Sequence, residues 1–376
     1  MKRRQLLPQP WWLHDDLTFW APLCDPANPL AVYRGTGALS MTRATAALRF
    51  DGSKFVSVGN GILRIEPNGA LIEGARTFAE MLYTDNSQDL LAQWTKTGIT
   101  ALFEADATAF GGSRWALTAD GSDRIFVRSI TIAAAARSLA WYVRRTDGGV
   151  VDATFCQIYR EGAARASTYT LLGGGVYRVS EANLVGSAGA ADTGLQIKAG
   201  KTLQVVAPAG LEAGAFCSSP MAIADAAMTR NADVLTFPSA GNIDGAVGTI
   251  ALVGDAISQS SAIAYIGTNG GYISPLYIQE GGSLWFWDGA NNQGSGFTNT
   301  DGVSYRMANA YSGAAAKIAR NGSISSSLMF DGDWNVAANV DLGKNAGYGT
   351  YIFGHIKDLR IWNRAFTDDE LKNLTR

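Results

Sequence analysis

Short apolar runs, each closed by Gly, Asn or Asp, recur along almost the whole sequence, and they leave room for little except strands. In Ser138–Arg145, Leu139, Trp141 and Val143 alternate with Ala140, Tyr142 and Arg144. That period of two puts the first set on one face of a strand. Residues 125–132, 202–208 and 283–289 carry the same kind of pattern. Turn signals separate the runs at Asp120, Asp147, Gly173, Asn269 and Asn321. The 43 glycines sit between the runs and follow no collagen repeat. Many short strands punctuated this way predict an all-β chain of sandwich or jelly-roll type.

Helix signals are scarce. Ala222–Asp233 reads as a helical turn or a linker. Thr367-Asp368-Asp369-Glu370 fits a capping box with acids in the first turn, and Leu371 and Leu374 supply the apolar positions. A strand ending near Trp362 and then one short helix closing the sandwich edge are therefore expected.

The length of 376 residues allows about two or three domains. Three segments are expected: an irregular N-terminal attachment region over 1–80, a first sandwich over 81–230 and a second over 231–376. There is no heptad run and no internal repeat, so no coiled-coil stalk is expected. With 47% hydrophobic and 17% charged residues, the chain reads as packed. A net charge of −2 gives no global field for nucleic acid or anionic lipid. The Lys2–Arg4 cluster reads as a solvated end. Cys24, Cys156 and Cys217 show no metal or disulfide spacing and read as buried or half-buried thiols. The opening residues have no apolar core segment, so no ordinary secretory leader is expected, and no stretch reaches the ~18 apolar residues of a membrane span.

Two resemblances sharpen this. Gly354, Ile356, Asp358, Arg360, Ile361, Asn363 and Arg364, followed by Ala365–Leu371, are similar to the closing signature of laminin-G-like, concanavalin-A-type lectin domains. Ala315–Ile324 resembles that family's hairpin, and residues 282–289 resemble the strand before it. Thr42–Thr77, with its "TRATA" and "IEGART" elements, resembles a module of tailed-bacteriophage virion proteins. Segments at Gln93, Tyr142 and Gly173, and Leu211–Phe237, resemble the carbohydrate-binding-module-like sandwich that follows it there. Phe78 stands where that module has Asn. These likenesses imply tandem jelly-roll sandwiches and a non-enzymatic virion protein, a tail-fibre-like adhesin binding host-surface glycan. The alternatives are a capsid decoration or head-fibre protein, and a polysaccharide depolymerase. They also imply other virion proteins as partners, a homo-oligomer (a trimer by analogy), and assembly in the host cytoplasm, without nucleic acid or membrane insertion.

Catalytic signals are thin. Glutamates such as Glu104, Glu161 and Glu280 are scattered, with no E-x-D-x-x-E strand to bring carboxyls about 5–5.5 Å apart. There is no G-x-S-x-G elbow, and His355 reads as structural. Gly194–Thr202 resembles a phosphate loop, but its glycine spacing is one residue too long and a strand follows. No cofactor is expected. A structural calcium is the usual metal of lectin sandwiches, and Asp331 and Asp333 are its weak candidates.

Sugar rings need aromatic faces beside hydrogen-bonding groups. If Leu284 and Phe286 face the core, Trp285 and Trp287 lie on the other face, near Asp288, Asn291 and Asn292. That face is either a glycan platform or a surface covered by a partner or the chain's own loops. Trp94, Trp115 and Trp141 read as core. Trp11, Trp12, Phe19 and Trp20 follow a Pro-rich lead. They read either as a docking arm onto another virion protein or as a strand folded back on its own domain.

Overall fold

The computed structural model describes residues 16–81, 94–132, 137–184, 189–214, 216–221, 228–256, 263–268, 274–334, 336–345 and 349–376. The chain forms two compact units that do not follow the three expected segments. The first unit comprises residues 1–43, 61–74 and 232–376, and the second comprises 44–60 and 75–231. The chain therefore passes between units four times.

The first unit is a sandwich. One sheet is ordered Ser323–Ile324, Ala315–Arg320, Tyr305–Ser312, Val247–Gly254, Gly354–Trp362, Gly69–Ile72 and Arg64–Glu66. Leu17–Ala21 also pairs with Gly354–Trp362, Leu17 lying opposite Trp362. The other sheet runs Ser40–Thr42, Val234–Pro238, Asn339–Leu342, Ile263–Thr268, Ser274–Ile278, Ser283–Trp287 and Asn292–Thr298. Their inner faces meet in a core that includes Phe19, Ile65, Phe237, Ile250, Leu284, Phe286 and Ile361. The expected attachment region thus supplies core strands.

This corrects the docking reading of Phe19. In Leu17–Ala21, Leu17, Phe19 and Ala21 are buried and Thr18 and Trp20 are half-buried. Phe19 stacks on Phe237 with ring centroids 4.3 Å apart, so it joins the two sheets. Trp20 remains on the outer face. Trp11 and Trp12 lie outside the described residues.

The C-terminal helix Asp368–Thr375 begins as its sequence demands. The Thr367 side chain accepts from the Glu370 amide, and the Glu370 carboxylate accepts from the Thr367 amide. The helix does not close an edge as expected. Leu371 and Phe366 pack with Ala251, Ala308, Ala310 and Ala319 on the outer face of the first sheet. Small side chains there let the helix approach.

In the second unit, one sheet is ordered Thr168–Gly173, Val176–Leu184, Arg137–Arg145, Thr202–Ala213, Ser113–Ala119 and Ile99–Ala105. The other runs Ala163–Ala164, Cys156–Arg160, Gly189–Ile197, Arg124–Ile132 and Thr95–Thr97. Trp94, Trp115 and Trp141 lie in the core between them, as their pattern predicts. The outer face of the first of these sheets is covered by the hairpin of Ala47–Phe50 and Phe55–Val58, whose Leu48, Phe50 and Phe55 pack on Ala140, Tyr142 and Ala207. Of the segment expected as helix or linker, Met228–Arg230 is a strand paired with Arg76–Met81, and 222–227 lie outside the described residues. Cys156 and Cys217 are buried, whereas Cys24, in the loop after the first strand, is exposed.

The residues of the second resemblance gather as buried charge. In the first unit Arg43, Arg64, Glu73 and Asp233 have fully buried side chains. Arg43 Nη1 lies 2.7 Å from Asp233 Oδ1, and Arg64 Nη1 lies 2.7 Å from Glu73 Oε2. Arg64 also donates to Asp233 Oδ2, which accepts from the Glu73 amide at 3.0 Å. Two guanidinium groups meet two carboxylates, so the cluster is neutral. It ties together the ends of the three segments that build the unit. In the second unit Glu212 lies 3.9 Å from Arg76 and accepts from the Ser218 amide and hydroxyl at 2.7 and 2.6 Å. Burial pushes its carboxyl up to about 7, against the pull of Ser218, Arg230 and Arg76.

Candidate glycan-binding face

The Ser283–Trp287 strand alternates as expected: Leu284 and Phe286 are buried in the core, and Trp285 and Trp287 are half-buried on the opposite face. Trp285 sits between Tyr277 and Gly294 on the neighbouring strands. A Cβ on Gly294 would come within 3.3 Å of the indole, so the missing side chain lets the ring lie on the strand. The Trp285 Nε1 is buried and donates to no acceptor among the described residues. Trp287 lies between Ser274 and Asn292.

Asn292 is exposed, and its Oδ1 accepts from the Tyr277 hydroxyl. Tyr277, which the sequence reading did not single out, therefore joins the face and orients the amide. Asp341 was also not singled out. Val340 and Leu342 are core residues, so Asp341 points to the same side as Trp285. It is 2% exposed, and its Oδ2 has no hydrogen-bond partner among the described residues. Burial raises its carboxyl above the usual range, with Lys344 opposing. Asp341 stands three strands from Trp285 in the sheet order, roughly 14 Å at about 4.8 Å per strand. The alternation of Asn339–Leu342 held the signal for Asp341.

Asp288 has a different place. It is 3% exposed. Its Oδ1 accepts from the amides of Ala290 and Asn291 at 2.8 and 2.6 Å, and its Oδ2 from Asn291 Nδ2 at 3.0 Å and the Asp331 amide at 2.8 Å. Burial works against its charge, but these donors outweigh it and hold the carboxyl below its usual value. Asp288 and Asn291 thus build the turn that ends the tryptophan strand.

The calcium candidates do not fit a metal site. Asp331 and Asp333 are exposed. Among the described residues no three His, Cys, Asp or Glu side chains gather as a ligand set. Both oxygens of nearby Asp288 are already committed to N–H donors.

His355 is structural in its placement. Its Nδ1 lies 3.0 Å from both Asp255 carboxylate oxygens, and its Nε2 lies 3.2 Å from Glu66 Oε2. Burial pushes the imidazole down, but the charges and hydrogen bonds of Asp255 and Glu66 outweigh it and lift it to about 10.

These features define an all-β chain built of sandwiched sheets. Residues 231–372 match the family described as the concanavalin A-like lectin/glucanases superfamily. Among solved structures, the chain is similar to the CBM40 of a Ruminococcus gnavus IT-sialidase bound to α2,3 sialyllactose. The two are 21% identical, with 35% of this chain and 84% of that one covered, at a TM-score of 0.30. Domain 4 of an extracellular GH43 arabinanase from Geobacillus stearothermophilus, in complex with arabinotriose, is 14% identical, covering 44% and 84%, at 0.32. A heptameric SAP-like pentraxin from Limulus polyphemus is 16% identical, covering 38% and 72%, at 0.30. No curated protein matches the chain by sequence.

Proposed function

We propose that this protein is a structural component of a tailed-phage virion whose concanavalin-A-like unit binds a host-surface glycan without cleaving it. The observation that carries the reading is the non-core face of the Ser283–Trp287 strand, where two half-buried indoles stand beside Tyr277 and Asn292. Indole faces suit the CH faces of pyranose rings, while the exposed Asn292 amide suits hydroxyls. The virion setting, with other virion proteins as partners and a homo-oligomer such as a trimer, is supported by the phage-like motifs. Their Arg43, Glu73 and Asp233 side chains are fully buried in the ion-pair cluster of the first unit. Hydrolysis would need a second carboxyl near Asp341, and Asp288 is committed to its turn.

The test is a glycan array on full-length protein, with product analysis on each ligand. Binding without cleavage, lost in Trp285→Ala with Trp287→Ala while circular dichroism is unchanged, is expected. Cleaved product would overturn the non-enzymatic reading. An empty array would move the assignment to a capsid decoration protein whose indoles meet a neighbouring subunit.

A further inference from the structure

The outer face of the other sheet of this same unit holds a hollow of about 470 Å³, beside the end of the C-terminal helix. Val253, Arg306, Lys357, Arg360 and Leu374 line it. A smaller hollow of about 310 Å³ adjoins it, sharing Val253 and Arg306. Its cationic character comes from a bulge. Ala251 pairs with Arg360, and two residues later Val253 pairs with Lys357, three residues away on the partner strand. One extra residue on the Gly354–Trp362 strand therefore turns Lys357 and Arg360 to the same face, where strict alternation would separate them. Asp358, inside the bulge, has φ +55°, a left-handed conformation that few side chains adopt. Val253 also pairs with Arg306 on its other side, so Arg306, Val253 and Lys357 form one row across the sheet.

The charges there are unevenly matched. Asp358 accepts from Arg360 Nε at 3.0 Å and Nη2 at 2.7 Å, and from Trp20 Nε1 at 2.9 Å. Its negative charge is therefore spent on Arg360. Arg306 is exposed, and its Nη1 donates to the main-chain oxygen of Arg376. The half-buried Lys357 has no ion pair among the described residues. Beyond Arg360 the face turns aromatic: the guanidinium lies 5.3 Å from the Trp20 ring, and Trp20 lies 5.1 Å from Tyr33, which is 63% exposed.

We propose that this hollow binds an acidic saccharide, its carboxylate between Arg306 and Lys357 and a sugar face toward Tyr33. The volume fits a small ligand of a few rings. The cations are confined to one hollow on a chain of net charge −2, which is not the extended basic stripe a nucleic acid requires. The site stands apart from the Trp285 face and does not need that face to bind anything.

Calorimetric titration of the full-length protein with trigalacturonate, with its carboxyl-reduced trisaccharide and with inorganic phosphate tests this. Trigalacturonate binds, more weakly at high salt; the reduced trisaccharide does not, and phosphate competes. Arg306→Gln with Lys357→Gln lowers affinity by about tenfold or more, the scale of one charge-assisted hydrogen bond, while Lys357→Arg retains it. Tyr33→Ala weakens the saccharide but not phosphate, and Trp285→Ala with Trp287→Ala changes neither. Unchanged affinity in the double glutamine variant, equal binding of the reduced trisaccharide, or phosphate binding without saccharide binding would each overturn the proposal. Glycan binding that depends only on Trp285 and Trp287 would overturn it too, while leaving the proposed function intact.

Discussion

Asp233 is the place where a conservative change should do most damage. Its carboxylate accepts from Arg43, from Arg64 and from the Glu73 amide, and all four side chains of the cluster are fully buried. Asp233→Asn keeps the shape but turns a neutral cluster into one with a net buried positive charge, and it aims an amide donor at a guanidinium. Breaking a buried ion pair from one side costs about 3–5 kcal/mol. Arg64→Met with Glu73→Leu removes one charge of each sign, keeps the Arg43–Asp233 pair and adds apolar volume. Such replacements are neutral or even favourable in other proteins, so a loss of roughly 1 kcal/mol or less is expected. The double variant should thus be more stable than the single one. Hydrogen exchange read by mass spectrometry along a denaturant series reports the two units separately, which a single global transition would not. The effect should fall on peptides from 16–43, 61–74 and 232–376. The reasoning fails if Asp233→Asn unfolds within about 1 kcal/mol of the parent, or if the double change is the worse of the two.

Three further outcomes are expected. The His355 imidazole is raised from its ordinary 6.5 to about 10, so its contribution is full below pH 6.5 and is lost as pH rises through 10. Stability should fall across that window by on the order of 5 kcal/mol, read as a lower melting temperature, and His355→Gln should flatten the profile; a parallel profile would refute the link. Thr367→Ala removes the helix cap and should cost about 1 kcal/mol, read as faster amide exchange in 368–375. Phe19→Ala should cost roughly 3–5 kcal/mol in the first unit, as a core truncation does, which denaturant unfolding will show; a stable variant would return Phe19 to the surface.

What was legible in the sequence is what local chemistry controls. Period-two runs marked the strands, and Thr367 with Glu370 marked the helix start to the residue. The side of Trp285 followed from its neighbours Leu284 and Phe286. The division into units was not legible, because it rests on pairings such as Leu17 with Trp362 that no local pattern announces. Phe19 was misjudged for a related reason: four aromatic residues after prolines suggested an arm, although the alternation of Leu17, Phe19 and Ala21 already pointed inward. Asp288 looked like a sugar ligand although three of its four donors belong to Ala290 and Asn291 in its own turn; only the Asp331 amide is brought in by folding. Arg43, Arg64, Glu73 and Asp233 were invisible as a cluster, since a charged residue in isolation reads as surface.

The divided first unit also dictates an order of events on the ribosome. Ile72 emerges roughly 280 residues before Gly354, its partner across the sheet. At about 5–20 residues per second, that is a wait of roughly 15–60 s. All of 75–231 is made within that interval, so the inserted unit has its whole sequence before the outer one can close. Until then, Leu17–Ala21 and Gly69–Ile72 are strands with bare edges and apolar faces, the kind of surface that seeks a partner on another chain. Slow synthesis or crowded expression should therefore penalise this protein through its earliest strands, long before its last helix is capped.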